Sequence, residues 1–117
     1  MFSEVFKGKK VLITGDTGFK GSWLSLWLVK LGAEVYGYAL PQRSENDNFV
    51  VCEMEKRTQH IDGDVRNIET LVDYFNKIQP DIAFHLAAQP LVLESYKNPY
   101  ETYSTNVMGV VNFFEAV

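Results

Sequence analysis

Hydrophobic and polar positions follow one another along the chain in blocks that alternate between two kinds of pattern. Short apolar runs rich in β-branched and aromatic residues predict strands, which fall at residues 9–14, 34–40, 58–62 and 81–87. Longer segments predict helices, which fall at residues 19–31, 49–56, 68–78 and from Asn98 and Pro99 to the end of the chain. The helix at 68–78 has the clearest pattern, because its apolar residues recur three and four positions apart.

The alternation of strand and helix predicts an α/β protein with a Rossmann-type, doubly wound parallel sheet. Right-handed crossovers give the strand order 3-2-1-4. The last helical pattern stays apolar to Val117, with no glycine, proline or polar stretch to close it. We therefore expect residues 1–117 to be the N-terminal part of an NAD-binding Rossmann domain, with its other strands and a substrate domain lying outside this chain.

Three glycines, Gly15, Gly18 and Gly21, directly follow the first predicted strand with the spacing G-x-x-G-x-x-G. A strand, a glycine turn and a helix, in that order, are what a dinucleotide pyrophosphate requires, because the turn and the helix N-terminus present backbone N–H groups to the phosphates. A Cβ atom in such a turn would meet the ligand or exclude the required backbone angles. The pattern thus favours nucleotide binding over a purely structural turn.

Other residues of the same turn have less certain roles. Thr17 and Phe19 are expected to contact a cofactor mainly through their backbone. Lys20 either contributes charge to the pyrophosphate or is simply an exposed lysine at the start of a helix. Asp16 carries a charge that phosphates would repel, so we expect it to point to solvent.

The end of the second strand bears on cofactor choice. An acid there selects NAD by binding the ribose, whereas a nearby arginine can accept the 2′-phosphate of NADP. Here the run GYAL at 37–40, which includes Ala39, has no carboxylate, and Arg43 follows it. The residues alone leave NAD and NADP open.

Two further segments supply candidate residues. Asp64, after the third strand, either accepts a hydrogen bond from the adenine amino group or caps the next helix. His85 lies within an apolar strand, and we interpret it as a satisfied core histidine rather than a catalytic one. The small residues Ala87 and Ala88, followed by Gln89, would let a cofactor pass close to the backbone.

Composition narrows the range of functions. A chain of 117 residues with 46% hydrophobic and 22% charged residues is typical of a globular domain. The formal net charge of −4 argues against nucleic-acid binding. A single cysteine provides neither a disulfide nor the cysteine spacing of a metal site, and no apolar run has membrane-spanning length. The N-terminal segment also lacks the apolar region of a secretory signal, so we expect a cytoplasmic protein with no nucleic-acid or membrane partner.

Four segments together resemble a known family: TGDTGFKGSWLSLWL at 14–28, GYAL at 37–40, HLAAQPLV at 85–92 and TYSTNVMG at 102–109. They resemble the extended short-chain dehydrogenases/reductases that act on nucleotide sugars and, within these, the CDP-glucose 4,6-dehydratases. The resemblance extends from residue 8 to residue 117. It implies a bound NAD that takes a hydride from C4 of the hexose and, after water is lost across C5 and C6, returns it to C6, giving CDP-4-keto-6-deoxyglucose.

The resemblance also implies residue roles. The turn 15–21 would bind pyrophosphate, Asp64 and Val65 would meet the adenine, residues 86–89 would flank the ribose and nicotinamide, and Thr105 and Asn106 would support the site from the last helix. With the turn residues above, the predicted cofactor-binding positions are Gly15, Thr17, Gly18, Phe19, Lys20, Gly21, Ala39, Asp64, Val65, Leu86, Ala87, Ala88, Gln89 and Thr105.

The catalytic pair Tyr-x-x-x-Lys of this superfamily is missing, since no lysine stands four positions after any of the six tyrosines. We therefore predict no catalytic residue in this chain. The resemblance implies CDP-glucose as substrate and a homodimer or higher homo-oligomer formed through the helix at 100–117. Two alternatives remain open: another NAD(P)-dependent nucleotide-sugar dehydratase or epimerase, and a non-catalytic dinucleotide-binding module if the native product ends at Val117.

Overall fold

The computed structural model describes residues 3–117 and is built around a parallel sheet. Within these residues the strands are β1 (Lys10–Thr14), β2 (Glu34–Ala39), β3 (Gln59–Asp62) and β4 (Ile82–His85). They lie side by side in the order β3-β2-β1-β4, and all neighbouring strands are parallel. The predicted α/β class and strand order are confirmed.

Helices connect and cover the strands. In chain order they are α1 (Ser3–Phe6), α2 (Phe19–Lys30), α3 (Asn48–Val51), α4 (Met54–Arg57), α5 (Ile68–Ile78), α6 (Val92–Lys97), α7 (Pro99–Tyr103) and α8 (Gly109–Ala116), with a π-helical turn (Ser104–Met108) between the last two. Gly32 lies directly after the C-cap residue of α2, Leu31, and its positive φ of 87° matches the left-handed residue that commonly follows a helix. None of the helices in residues 3–117 has the length and apolar content needed to cross a membrane.

The structure differs from the predicted elements at three places. The helix predicted at 49–56 is wrong, because Glu53 adopts a left-handed conformation with φ of 51° and separates α3 from α4. The fourth strand ends at His85 rather than at Ala87, since the following residues leave the sheet. The short helix α6 was not predicted at all.

Apolar side chains cover both faces of β1, which explains its continuous apolar sequence. Val11 and Ile13 point to one face and pack with Leu28 of α2, whereas Leu12 points to the other face. The second face is the larger core and is closed by α5 and α8; its buried members include Tyr38, Leu71, Phe75 and Phe113. A strand fixed on both faces gives the turn that follows it a rigid support.

Candidate functional site

A cleft of about 450 Å³ lies at the carboxyl ends of the strands. Its walls come from the segments that leave β1, β2, β3 and β4, together with Glu101 and Thr105 from the last helical segment. Ligands of open α/β sheets bind at this edge, where the strand order changes direction, here between β1 and β4. The cleft therefore lies where a ligand would bind in this fold.

Most of the predicted cofactor-binding residues line this cleft. Those that do so are Gly15, Thr17, Gly18, Phe19, Ala39, Asp64, Val65, Leu86, Ala87, Ala88, Gln89 and Thr105. Lys20, Gly21 and Asn106 do not line it. Lys20 is exposed at the start of α2.

The three glycines of the turn serve different purposes. Gly15 has φ of 79°, and a Cβ atom there would lie 2.6 Å from the backbone of both Leu86 and Ala87. A Cβ atom on Gly21 would overlap the carbonyl oxygen of Gly15, so this glycine lets the helix pack closely against the turn. Gly18 has an ordinary φ of −74°, and its only near neighbour would be the Gly15 oxygen at 3.3 Å. Of the three, Gly18 is thus the one whose added Cβ the protein itself could accommodate most easily.

Helix α2 starts beside the cleft without a side-chain cap. Its N-cap residue is Gly18, and among the described residues no side chain accepts a hydrogen bond from the first turn. The free N–H groups and the positive end of the helix dipole are therefore available to an anion. Phe19, 73% exposed, lies at the rim.

Asp16 is not in solvent, contrary to the expectation above. It is 1% exposed and lies against Gly37, where a Cβ atom would overlap its carboxylate. Its Oδ2 atom is 2.7 Å from Nδ1 of His60 on β3. Burial raises the pKa of Asp16, although the hydrogen bond and charge of His60 oppose the rise. The expectation from the neighbouring sequence was wrong because His60, the partner of Asp16, is 44 residues away in sequence.

Asp64 is engaged by Arg66 rather than by the helix that follows. Its carboxylate accepts hydrogen bonds from the Arg66 guanidinium at 2.6 and 2.9 Å and from the Arg66 backbone N–H at 2.9 Å. The Arg66 guanidinium lowers the pKa of Asp64. Asn67 caps α5 instead, because its Oδ1 atom accepts from the Thr70 N–H, so the capping alternative for Asp64 is wrong.

The segment after β2 forms another part of the cleft wall. Thr17 donates from Oγ1 to the Leu40 carbonyl oxygen at 2.8 Å, which ties this wall to the glycine turn. Asp47 folds the segment by accepting from the backbone N–H groups of Arg43 and Ser44 at 3.0 and 3.2 Å. Both Arg43 and Asp47 line the cleft. The cation of Arg43 and the carboxylate of Asp47 are therefore both present after β2. In Rossmann domains the residues at this position discriminate between NAD and NADP.

The segment after β4 is held to the last helices by a side-chain clamp. Asn106 Oδ1 accepts from the Gln89 N–H at 2.7 Å, and its Nδ2 donates to the Gln89 carbonyl oxygen at 3.1 Å. The Gln89 side chain donates to Thr102 and accepts from the Leu91 N–H. Because Asn106 acts through Gln89 rather than from the cleft wall, it supports the site without lining it.

Two contacts that the sequence did not reveal hold residues of the cleft wall in place. Asn112, 6% exposed, donates to the Val65 carbonyl oxygen at 2.8 Å, and Gly109 leaves room for the Val65 side chain. Thr14 accepts from the Leu86 N–H at 3.2 Å and lies 2.7 Å from Nδ1 of His85. A buried polar residue within an apolar helical pattern, as at Asn112, is the signal that could have indicated the first contact.

His85 does not line the cleft. It is half-buried beside the core, so the interpretation as a satisfied core histidine holds only in part. Burial lowers its pKa, and its ring packs on Phe113 with centroids 4.8 Å apart. The Thr14 hydroxyl oxygen accepts from the backbone N–H groups of Leu86 and Ala87, so its own proton can be donated to Nδ1, which leaves the ring proton on Nε2. Nε2 is buried and has no hydrogen-bond partner among residues 3–117, so the histidine is only half satisfied.

Comparison with protein families matches residues 12–117 to the family described as GDP-mannose 4,6 dehydratase. Among curated proteins, CDP-glucose 4,6-dehydratase of Salmonella typhimurium is 49% identical over 112 residues. That alignment covers 96% of this chain and 31% of the Salmonella protein. The chain therefore spans about a third of the length of this relative.

Solved structures of related fold agree with the architecture. UDP-glucose 4-epimerase of Thermotoga maritima, solved with UDP-glucose, superposes with a TM-score of 0.81 at 25% identity, covering 92% of this chain and 33% of that one. UDP-glucose 4-epimerase of Thermus thermophilus, solved in complex with NAD, gives a TM-score of 0.79 at 29% identity, covering 92% of this chain and 33% of that one.

Proposed function

The chain belongs to the GDP-mannose 4,6 dehydratase family, and we propose that it binds NAD in the cleft as the cofactor-binding part of a CDP-glucose 4,6-dehydratase. The 49% identity to the Salmonella CDP-glucose enzyme supports the substrate. The observation that carries the binding role is the glycine turn at the cleft floor, where α2 begins without a side-chain cap. The complex of the Thermus relative with NAD supports the choice of cofactor.

The residues present fit a dinucleotide. Gly18 is the turn residue with space at its α-carbon on the cleft side, which a bound pyrophosphate would require. Backbone N–H groups of the turn would hold the pyrophosphate, and Asp64 with Val65 would meet the adenine. Residues 86–89 would flank the ribose and nicotinamide, with Thr105 beside them. Bound NAD would supply hydride acceptance and return at the sugar.

Ala39 bears on the choice between NAD and NADP. It is 5% exposed, lines the cleft and leaves the end of β2 without the carboxylate that usually binds the ribose. We assign that task to the segment after β2, whose Asp47 also lines the cleft. Ala39→Asp should therefore increase the preference for NAD over NADP, and an unchanged ratio of affinities would contradict a ribose at this position.

The proton-transfer groups would lie outside residues 1–117, because Tyr-x-x-x-Lys is missing from them. The protein would work in the cytoplasm as a homodimer or higher homo-oligomer through the helix at 100–117. Its product would serve dideoxysugar synthesis for surface polysaccharide.

The test is to express the native gene product and incubate it with NAD and CDP-glucose. The expected product is lighter than the substrate by one water, as measured by mass spectrometry, with GDP-mannose and UDP-glucose as comparison substrates. A product of unchanged mass but altered configuration would instead identify an epimerase, the second candidate favoured by the likeness to UDP-glucose 4-epimerases. Binding of NAD without turnover of any sugar would leave only the cofactor-binding module.

A further inference from the structure

A buried carboxylate lies directly behind the proposed phosphate site. Asp16 belongs to the glycine turn, between Gly15 and Thr17, yet its side chain turns away from the cleft and lies over Gly37 of β2. Its Oδ1 atom is buried and has no hydrogen-bond partner among residues 3–117. Such a charge would oppose the binding of a pyrophosphate at the same turn unless something compensates for it.

His60 on β3 provides the compensation. Its Nδ1 atom lies 2.7 Å from Oδ2 of Asp16, and its Nε2 atom lies 2.8 Å from Oδ1 of Asp62. An ionised carboxylate can only accept hydrogen bonds, so both ring nitrogens donate when both carboxylates are ionised. That requires the imidazolium form, which carries one positive charge.

We propose that protonated His60 is a positioning residue for the dinucleotide: it holds the Asp16 carboxylate against Gly37 and cancels its charge behind the phosphate turn. Cofactor affinity is then high while His60 is protonated and falls when the ring loses its proton. This inference rests on the proposed binding of NAD in the cleft. It adds a pH-dependent element to that site.

The surroundings of His60 agree with this assignment. Burial alone would lower its pKa, but the hydrogen bonds and charges of Asp16 and Asp62 outweigh burial and raise it. From α3 the ring is faced by Phe49, which does not titrate, with centroids 5.1 Å apart. The nearby cations of α4 are engaged elsewhere: Arg57 donates to the Cys52 carbonyl oxygen and Lys56 pairs with Glu53.

The experiment measures the dissociation constant of NAD by calorimetry between pH 6 and pH 9, using the native gene product. In the unmodified protein the affinity should weaken roughly fivefold as pH rises, the effect of one uncompensated charge near the pyrophosphate at high effective dielectric. His60→Gln should lose affinity at pH 6 and equal the unmodified protein at pH 9. Asp16→Asn should bind tightly throughout, with no pH dependence.

Lys56→Gln is the matched control, because it removes a cation on the adjacent helix that does not contact Asp16; its pH profile should follow that of the unmodified protein. Folding of each variant is checked by circular dichroism, and the His60 ring is titrated by NMR, where Asp16→Asn should lower its pKa. Equal weakening of His60→Gln at pH 6 and pH 9 would indicate a purely structural role and overturn the proposal. A pH-independent affinity of the unmodified protein would also overturn it, whereas failure of that protein to bind NAD at any pH would overturn the proposed function and this inference together.

Discussion

Replacing two glycines of the turn by alanine should have different effects. Gly21→Ala should reduce the stability of the protein, whereas Gly18→Ala should weaken the binding of NAD. In Gly21→Ala the added methyl would overlap the Gly15 carbonyl oxygen and lie 2.7 Å from the Gly15 carbonyl carbon and 2.9 Å from the Asp16 Cα. All of these are backbone atoms, which cannot rotate away. The turn must therefore shift, and we expect the free energy of unfolding to fall by about 3 kcal/mol or more.

Gly18→Ala should change the free energy of unfolding only slightly but should weaken the binding of NAD. Alanine accepts the φ of −74° and ψ of 172° found at this position, and the nearest atom would be 3.3 Å away. Replacing glycine by alanine at a helix N-cap should cost about 1 kcal/mol or less. The methyl would, however, lie where backbone and pyrophosphate must approach each other, so NAD affinity should fall about tenfold or more.

The two variants are compared by urea unfolding and by calorimetric titration with NAD. Domains of this size have a free energy of unfolding of about 5–15 kcal/mol, so a loss of 3 kcal/mol shifts the urea midpoint clearly. Equal stability losses in the two variants would refute the steric argument. A Gly18→Ala protein that binds NAD as tightly as the unmodified protein would refute the assignment of the turn to the pyrophosphate.

Three further outcomes are expected. Asn106→Leu removes both hydrogen bonds to the Gln89 backbone. The free energy of unfolding, measured in urea, should fall by about 2 kcal/mol, and calorimetry should show weaker binding of NAD. Unchanged NAD affinity would mean that the Asn106–Gln89 clamp does not shape the cleft. Asn67→Ala removes the cap of α5 and should cost about 1 kcal/mol with NAD affinity unaltered, and a matching loss of affinity would contradict this separation. Burial lowers the pKa of His85 below its ordinary 6.5, so at this group the unfolded state binds more protons and stability is lost as pH falls. The Tm of the unmodified protein should therefore fall relative to that of His85→Gln between pH 7 and pH 5, whereas parallel Tm curves would show that His85 makes no such contribution.

The features predicted correctly from sequence are those encoded locally. The strand order followed from the alternation of elements and the handedness of crossovers, and helix α5 matches the predicted 68–78 at both ends. The cleft position followed from the glycine spacing, because the turn and helix start are contiguous in sequence. In each case the prediction needed only contiguous sequence patterns and general rules of chain connection.

The features that were missed depend on distant partners or on backbone conformation. Burial of Asp16 requires His60 and the bare α-carbon of Gly37, which reach it only through strand pairing. The break between α3 and α4 occurs at Glu53, a residue type that gives no turn signal. Asn67 rather than Asp64 caps α5 because Asn67 directly precedes the helix, while Asp64 is held by Arg66.

The π-helical turn Ser104–Met108 makes chain length critical in the last helical segment. Thr105 lines the cleft and Asn106 reaches Gln89, while Asn112 further along bonds to Val65. Deleting one residue from the turn would rotate everything after it by about 100°, carrying Asn112 and Phe113 away from their partners. Natural variants of this protein should therefore keep an unchanged number of residues between Gln89 and Asn112.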